Sequence, residues 1–120
     1  MYVQGDVQLS GSILKELLSG EDQTNNLIVV ENRYNYKNLA ALATTTVKST
    51  PGFLHSIIIN TAGATGNTVT IYDNTAGSGT KIATIDATAV SQRIYNVQFT
   101  TGLTVVVANG TAADITVSYR

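Results

Sequence analysis

The chain has 120 residues, a formal net charge of −1, and charged residues at only 12% of the sequence, about half the ~25% usual in soluble domains. Its seven Lys and Arg are scattered, Cys is absent, and His occurs once. No run approaches the ~20 apolar residues of a membrane helix. This composition argues against a phosphate-tracking nucleic-acid binder, a disulfide scaffold, a thiolate metal site and a helical membrane protein. Thr is frequent instead, at 18 residues, beside 10 Gly and 10 Asn. Threonine suits half-buried pleated surfaces, and Gly and Asn suit the turns between strands.

In chain order, residues 1–46 read as an N-terminal arm. The segment opens Met-Tyr-Val-Gln-Gly-Asp, without the basic and apolar regions of a signal peptide, so synthesis in the cytosol is expected. Ser12 can cap a short helix over about 12–19, with Leu14, Leu17 and Leu18 on one face and Gly20 just beyond its end. A helix of about two turns is marginal alone and must dock on something. After a polar connector come Leu27, Ile28, Val29 and Val30, then a polar-aromatic stretch containing Tyr34 and Tyr36. These nine residues are the candidate interface of the arm.

Residues 47–120 read as a β-sandwich. Ala43–Ser49 is the first expected strand. Phe53–Asn60 follows, with Phe53, Ile57 and Ile59 on one face and His55 in the same parity. Thr68–Asp73 alternates, Val69 and Ile71 facing one way. A Gly-rich loop leads to Lys81–Asp86. Then come Ile94–Thr100, Leu103–Ala108 and Ala113–Tyr119. Asn109-Gly110, lying between the last two, predicts a tight hairpin joining them. About seven short strands at this spacing point to a sandwich or barrel.

No residue set is equipped for catalysis. His55 lacks a nucleophile in a Gly-x-Ser-x-Gly setting and further His or Cys ligands for a metal, so it reads as a hydrogen-bonded histidine near a strand start. Asp73, Asp86 and Asp114 sit beside turns, where aspartate bonds its local backbone. No enzyme activity, cofactor or metal is expected. Tyr34, Tyr36 and Tyr72 are candidate stacking platforms for a glycan, although tyrosines more often serve packing or interfaces. Domains near ~60 residues are marginal without disulfides, metals or oligomerisation. A body of residues 47–120 is therefore expected to self-associate.

Phe53-Leu54-His55-Ser56-Ile57-Ile58-Ile59-Asn60, Val69-Thr70-Ile71-Tyr72-Asp73, the run from Gly79 to Asp86, Phe99-Thr100-Thr101-Gly102-Leu103-Thr104-Val105-Val106 and the run from Ala113 to Tyr119 follow one another in a familiar order. Together they resemble small β-sandwich structural proteins of tailed-phage virions. The resemblance covers residues 47–120 and implies a capsid decoration (cement) protein or a small tail or baseplate component. It further implies a homo-oligomer, commonly a trimer, bound to the major capsid protein or another virion protein after synthesis in the host cytoplasm. A glycan-binding module is the alternative. The expected fold is all-β, an antiparallel, jelly-roll-like sandwich of about seven strands behind an arm carrying one short helix.

Overall fold

The computed structural model describes residues 33–120. The expected helix at 12–19 and the candidate interface residues Leu14, Leu17, Leu18, Leu27, Ile28, Val29 and Val30 lie outside the described residues.

Eight strands are present and no helix occurs among the described residues: β1 Asn35–Leu39, β2 Ala43–Lys48, β3 Gly52–Thr61, β4 Thr68–Asp73, β5 Thr80–Asp86, β6 Ser91–Phe99, β7 Leu103–Ala108 and β8 Asp114–Tyr119. They form two four-stranded antiparallel sheets, ordered β1-β8-β3-β6 and β2-β7-β4-β5. Only β4 and β5 pair with a sequence neighbour, and every other connection carries the chain from one sheet to the other. Strands pair first with last: β1 with β8, β2 with β7, β3 with β6, β4 with β5. This is the connectivity of two interlocked Greek keys, a jelly roll.

The inner faces meet in one core. Leu54, Ile57, Ile59, Phe99, Ile115 and Val117 from the first sheet pack with Val69, Ile71, Ile85, Leu103, Val105 and Val107 from the second, all of them buried. Each such side chain contributes about 1.5–3 kcal/mol when fully removed from water. The alternation expected in β4 and β8 places these residues correctly, because a strand's side chains change face at every step.

Four expectations change. The sandwich starts earlier than residue 47, because Asn35–Leu39 runs along β8, with Asn35 opposite Tyr119 and Leu39 opposite Ile115. Four of its five residues are exposed, so β1 has little hydrophobic alternation to announce it; only Leu39 reaches the core. That strand is the eighth. A body of residues 33–120 also lies further above the marginal size, so stability alone asks less for oligomerisation.

The third change concerns β3. Leu54, and not Phe53, joins Ile57 and Ile59 in the core, while Phe53 is half-buried. Pairing slips between Leu54 and Ser56 against both neighbouring strands. A bulge there adds a residue and reverses the parity on either side of His55.

Fourth, Asn109-Gly110 does not close a hairpin. Both residues take the positive φ that the dipeptide favours, 68° and 62°. Yet β7 pairs with β2 and β4, and β8 pairs with β1 and β3. The turn instead passes the chain between sheets, tied to the β3–β4 connection by a bridge between Ala64 and Thr111.

Asn67 holds that end of the sandwich. Fully buried, it donates through Nδ2 to the carbonyls of Ala108 and Asn109 at 3.0 and 2.9 Å, and its Oδ1 accepts from the Ala113 N–H at 3.0 Å. At the other end, the carboxylate of Asp73 accepts from the backbone N–H groups of Thr100, Thr101 and Gly102 and from the Thr100 hydroxyl. The Thr100 N–H, foremost among these donors, holds the Asp73 pKa below its ordinary value, against the opposing effect of burial. The β4–β5 loop then folds back over the outer face of the second sheet. Thr104 donates to the Asn74 carbonyl at 2.8 Å and Thr46 to the Thr75 carbonyl at 3.1 Å.

Candidate functional site

The outer face of the first sheet carries the one assembly of aromatic, amide and cationic groups among the described residues that departs from threonine-and-asparagine surface. It is built where β3 begins and β8 ends. Beyond Tyr119 the ladder continues, with the Phe53 N–H donating to the Arg120 carbonyl at 2.7 Å and the Arg120 N–H to the Phe53 carbonyl at 2.9 Å. Arg120 is therefore anchored through its backbone. Its guanidinium carbon lies 5.0 Å from the centroid of the Tyr34 ring and 5.3 Å from that of Phe53, within cation–π range.

Tyr34 enters just before β1 and stacks on His55, with centroids 4.2 Å apart and planes 12° from parallel. The bulge in β3 places His55 in this group. Opposite it, Asn96 in β6 adopts φ 50°, a left-handed conformation that asparagine tolerates better than most residues. The Asn96 Oδ1 lies 2.8 Å from His55 Nδ1; an amide oxygen only accepts, so Nδ1 donates. Histidine, tyrosine and asparagine thus fix one another, and the His55 reading as a hydrogen-bonded residue acquires its partner.

Beside this stack lies a shallow depression of about 590 Å³, lined by Pro51, Gly52, Phe53, Asn96, Gln98 and Arg120. Gly52 is a point of close approach, its missing side chain facing packed atoms. A Cβ at that position would stand 2.3 Å from the Arg120 carbonyl oxygen and 2.8 Å from the Phe99 ring. Among the described residues, the amide nitrogen of Asn96, the side chain of Gln98 and the guanidinium of Arg120 have no hydrogen-bonding or carboxylate partner.

A second feature of this sheet is its β6 edge, which pairs on one side only. Along and beside it Val90 is 67% exposed, Ile94 50% and Val97 36%. Tyr36, on the opposite edge strand β1, is 74% exposed.

The three tyrosines considered for glycan stacking are therefore not brought together. Tyr34 belongs to the stack, Tyr36 stands apart on β1, and Tyr72 is a half-buried residue of β4 in the other sheet. Sequence reasoning missed Phe53, Asn96, Gln98 and Arg120 as site residues. None of them carried a signal, since Asn96 and Gln98 fill the polar positions between Tyr95, Val97 and Phe99 of an alternating strand. They meet only through the pairing of β3 with β6 and β8.

Of the three aspartates expected to bond their own turns only Asp86 does so, while Asp73 and Asp114 tie together segments distant in the chain. Asp86 accepts from the Thr88 hydroxyl at 2.6 Å and its N–H at 3.0 Å, and the hydroxyl is the main reason its pKa is lowered. Asp114 accepts from Asn38 at 2.6 Å and Asn60 at 3.3 Å, linking β1, β8 and β3 across the outer face. Among the described residues no group of three or more His, Cys, Asp or Glu could hold a metal ion, and no helix is long and apolar enough to cross a membrane. No protein-family model, curated protein or solved structure matches the chain.

Proposed function

We propose that the protein is a structural component of a virion, a capsid decoration (cement) protein that self-associates and attaches to the capsid through its N-terminal arm. The trimer is the favoured form, and the major capsid protein or a neighbouring virion protein the favoured partner. Nucleic acid and membrane play no part in this reading.

The observation that carries it is the β6 edge. An unpaired strand offers a row of N–H and C=O groups, and natural sheets shield such edges with short strands, charges or bulges. Here β6 is nine residues long and has one charge, Arg93. Its bulge near Asn96 leaves the Ser91–Ile94 stretch regular, beside exposed Val90 and Ile94. Such an edge fits a protein that works in contact with copies of itself. The exposed Thr44, Thr46 and Thr84 of the second sheet suit the same role, because neutral hydroxyls lose less on leaving water than charges do.

The test is the mass of the purified full chain by light scattering. A trimer is expected, and Ile94→Lys is expected to yield monomers with an unchanged circular dichroism spectrum. A wild-type monomer at all concentrations overturns the reading. Particles lacking the protein are expected to fail at lower temperature or milder osmotic shock. Hundreds of copies per particle fit decoration, and a few to tens fit a tail or baseplate component.

A second reading, a glycan-binding module, is favoured by one observation: the depression at Phe53 combines an aromatic wall with the amide of Gln98 and the amide nitrogen of Asn96. Detectable saccharide affinity of the isolated protein tests it.

A further inference from the structure

Among the described residues, the side chains around the depression are unbalanced: they offer many hydrogen-bond donors, one cation and no carboxylate, and the backbone oxygen of Arg120 is taken by the Phe53 N–H. Arg120 contributes five guanidinium N–H donors. The Asn96 amide nitrogen adds two, because its oxygen is committed to His55. Gln98 adds a complete amide with no partner among the described residues.

We propose that this depression binds a saccharide bearing a carboxylate, such as a uronic or sialic acid, with Arg120 receiving the carboxylate and Asn96 and Gln98 taking hydroxyl or ring oxygens. This rests on the glycan-binding reading above and names its ligand class.

Three features favour such a ligand. The guanidinium is a planar fork that matches a carboxylate with two parallel hydrogen bonds. Its backbone is pinned to Phe53 and its head is held near the Tyr34 and Phe53 rings, so less side-chain freedom is lost on binding than for a loose surface arginine. The apolar lining from Pro51 and Phe53 gives the C–H face of a sugar ring a surface to lie on. The Asn96 amide is likewise oriented before a ligand arrives, by the His55 bond and by the bulge. A shallow site open to water makes the affinity weak and sensitive to salt.

The experiment uses the full chain and titrates 3′-sialyllactose and trigalacturonic acid against their neutral counterparts lactose and galactotriose, following backbone amide shifts by NMR. One of the acidic sugars is expected to bind at least tenfold more tightly than its neutral counterpart, with shifts at Gly52, Phe53 and Gln98. That preference is expected to fall at least tenfold in Arg120→Gln and to weaken when salt is raised to 0.3 M. Gln98→Ala, on an exposed side chain, is the second variant and is expected to weaken binding with the fold unchanged. Equal binding of acidic and neutral sugars overturns the proposal and leaves the glycan reading standing. Binding by neither removes both. An acidic preference unchanged in both variants places the ligand elsewhere and overturns the site.

Discussion

Replacing Asn67 with alanine probes how the crossing between β7 and β8 is held. The side chain makes three hydrogen bonds, two to the carbonyls of Ala108 and Asn109 and one from the Ala113 N–H. Ala113 is buried, so its N–H has no ready access to water once Oδ1 is gone. An orphaned buried backbone donor costs about 1–3 kcal/mol. Residue 109 is exposed, so its carbonyl and that of half-buried Ala108 recover part of their hydration and together add about 1 kcal/mol. Asn67→Ala is therefore expected to cost about 3 kcal/mol, a large share of the ~5–15 kcal/mol that holds a typical domain. Equilibrium urea unfolding followed by far-ultraviolet circular dichroism measures it. With a slope of about 1.5 kcal/mol/M the midpoint falls by about 2 M, the slope itself unchanged.

Asn67→Asp sharpens the same test. It keeps the acceptor for Ala113 but sets an oxygen against two carbonyl oxygens, so only the protonated acid can donate to one of them. The folded pKa of the new carboxyl is thereby raised above its unfolded value. Its stability relative to wild type is greatest below the unfolded pKa of about 3.9 and declines as pH rises through the folded pKa. A midpoint shift below 0.3 M for the alanine variant, or a pH-independent difference between the aspartate variant and wild type, would refute the role assigned to Asn67.

Other substitutions test other joints of the fold. Gly110→Ala is expected to destabilise by about 3 kcal/mol or to prevent folding, since its Cβ would stand 2.0 Å from the Ala64 carbonyl oxygen at φ +62°; thermal unfolding reports it. Asp73 has a lowered folded pKa, so its contribution is fully present above the unfolded value of 3.8 and is lost as pH falls through the folded one. Asp73→Ala is accordingly expected to cost about 1–2 kcal/mol at pH 7, less than a buried network because water reaches the carboxylate, and to flatten the acid side of the stability profile. Thr65, exposed and β-branched, sits at φ 55°; Thr65→Asn is expected to raise stability by about 0.5–1 kcal/mol in urea unfolding, because asparagine tolerates that region.

Much of the body was legible in the sequence because β-strands are written with a period of two. Val69 and Ile71, and Ile115 and Val117, alternate with polar residues and are buried as that pattern requires. The turn chemistry was equally readable at Asn109 and Gly110, which adopt the positive φ they favour. These are local properties, decided by sterics and by the direction of each side chain.

Strand partners are not local. Asn109-Gly110 bends the chain as its residues dictate, but β7 and β8 leave the turn into different sheets, because burying both inner faces in one core pairs β8 with β1 and β3 instead. Asn35–Leu39 is a strand although little in its own residues demands it; the edge of β8 supplies its hydrogen bonds. The bulge at His55 reverses a parity that the alternation alone would have continued, and it sets histidine beside Tyr34 and Asn96. The candidate site follows from the same cause. Tyr34, Phe53, Asn96 and Arg120 are distant in the chain and meet because β8 lies between β1 and β3 while β6 pairs with the other side of β3. The sequence by itself determined the regularly alternating strands, their buried faces and the backbone of the Asn109-Gly110 turn; the tertiary structure decided the edge strand β1, the face reversal in β3 and which strands became neighbours, and with them which side chains could act together.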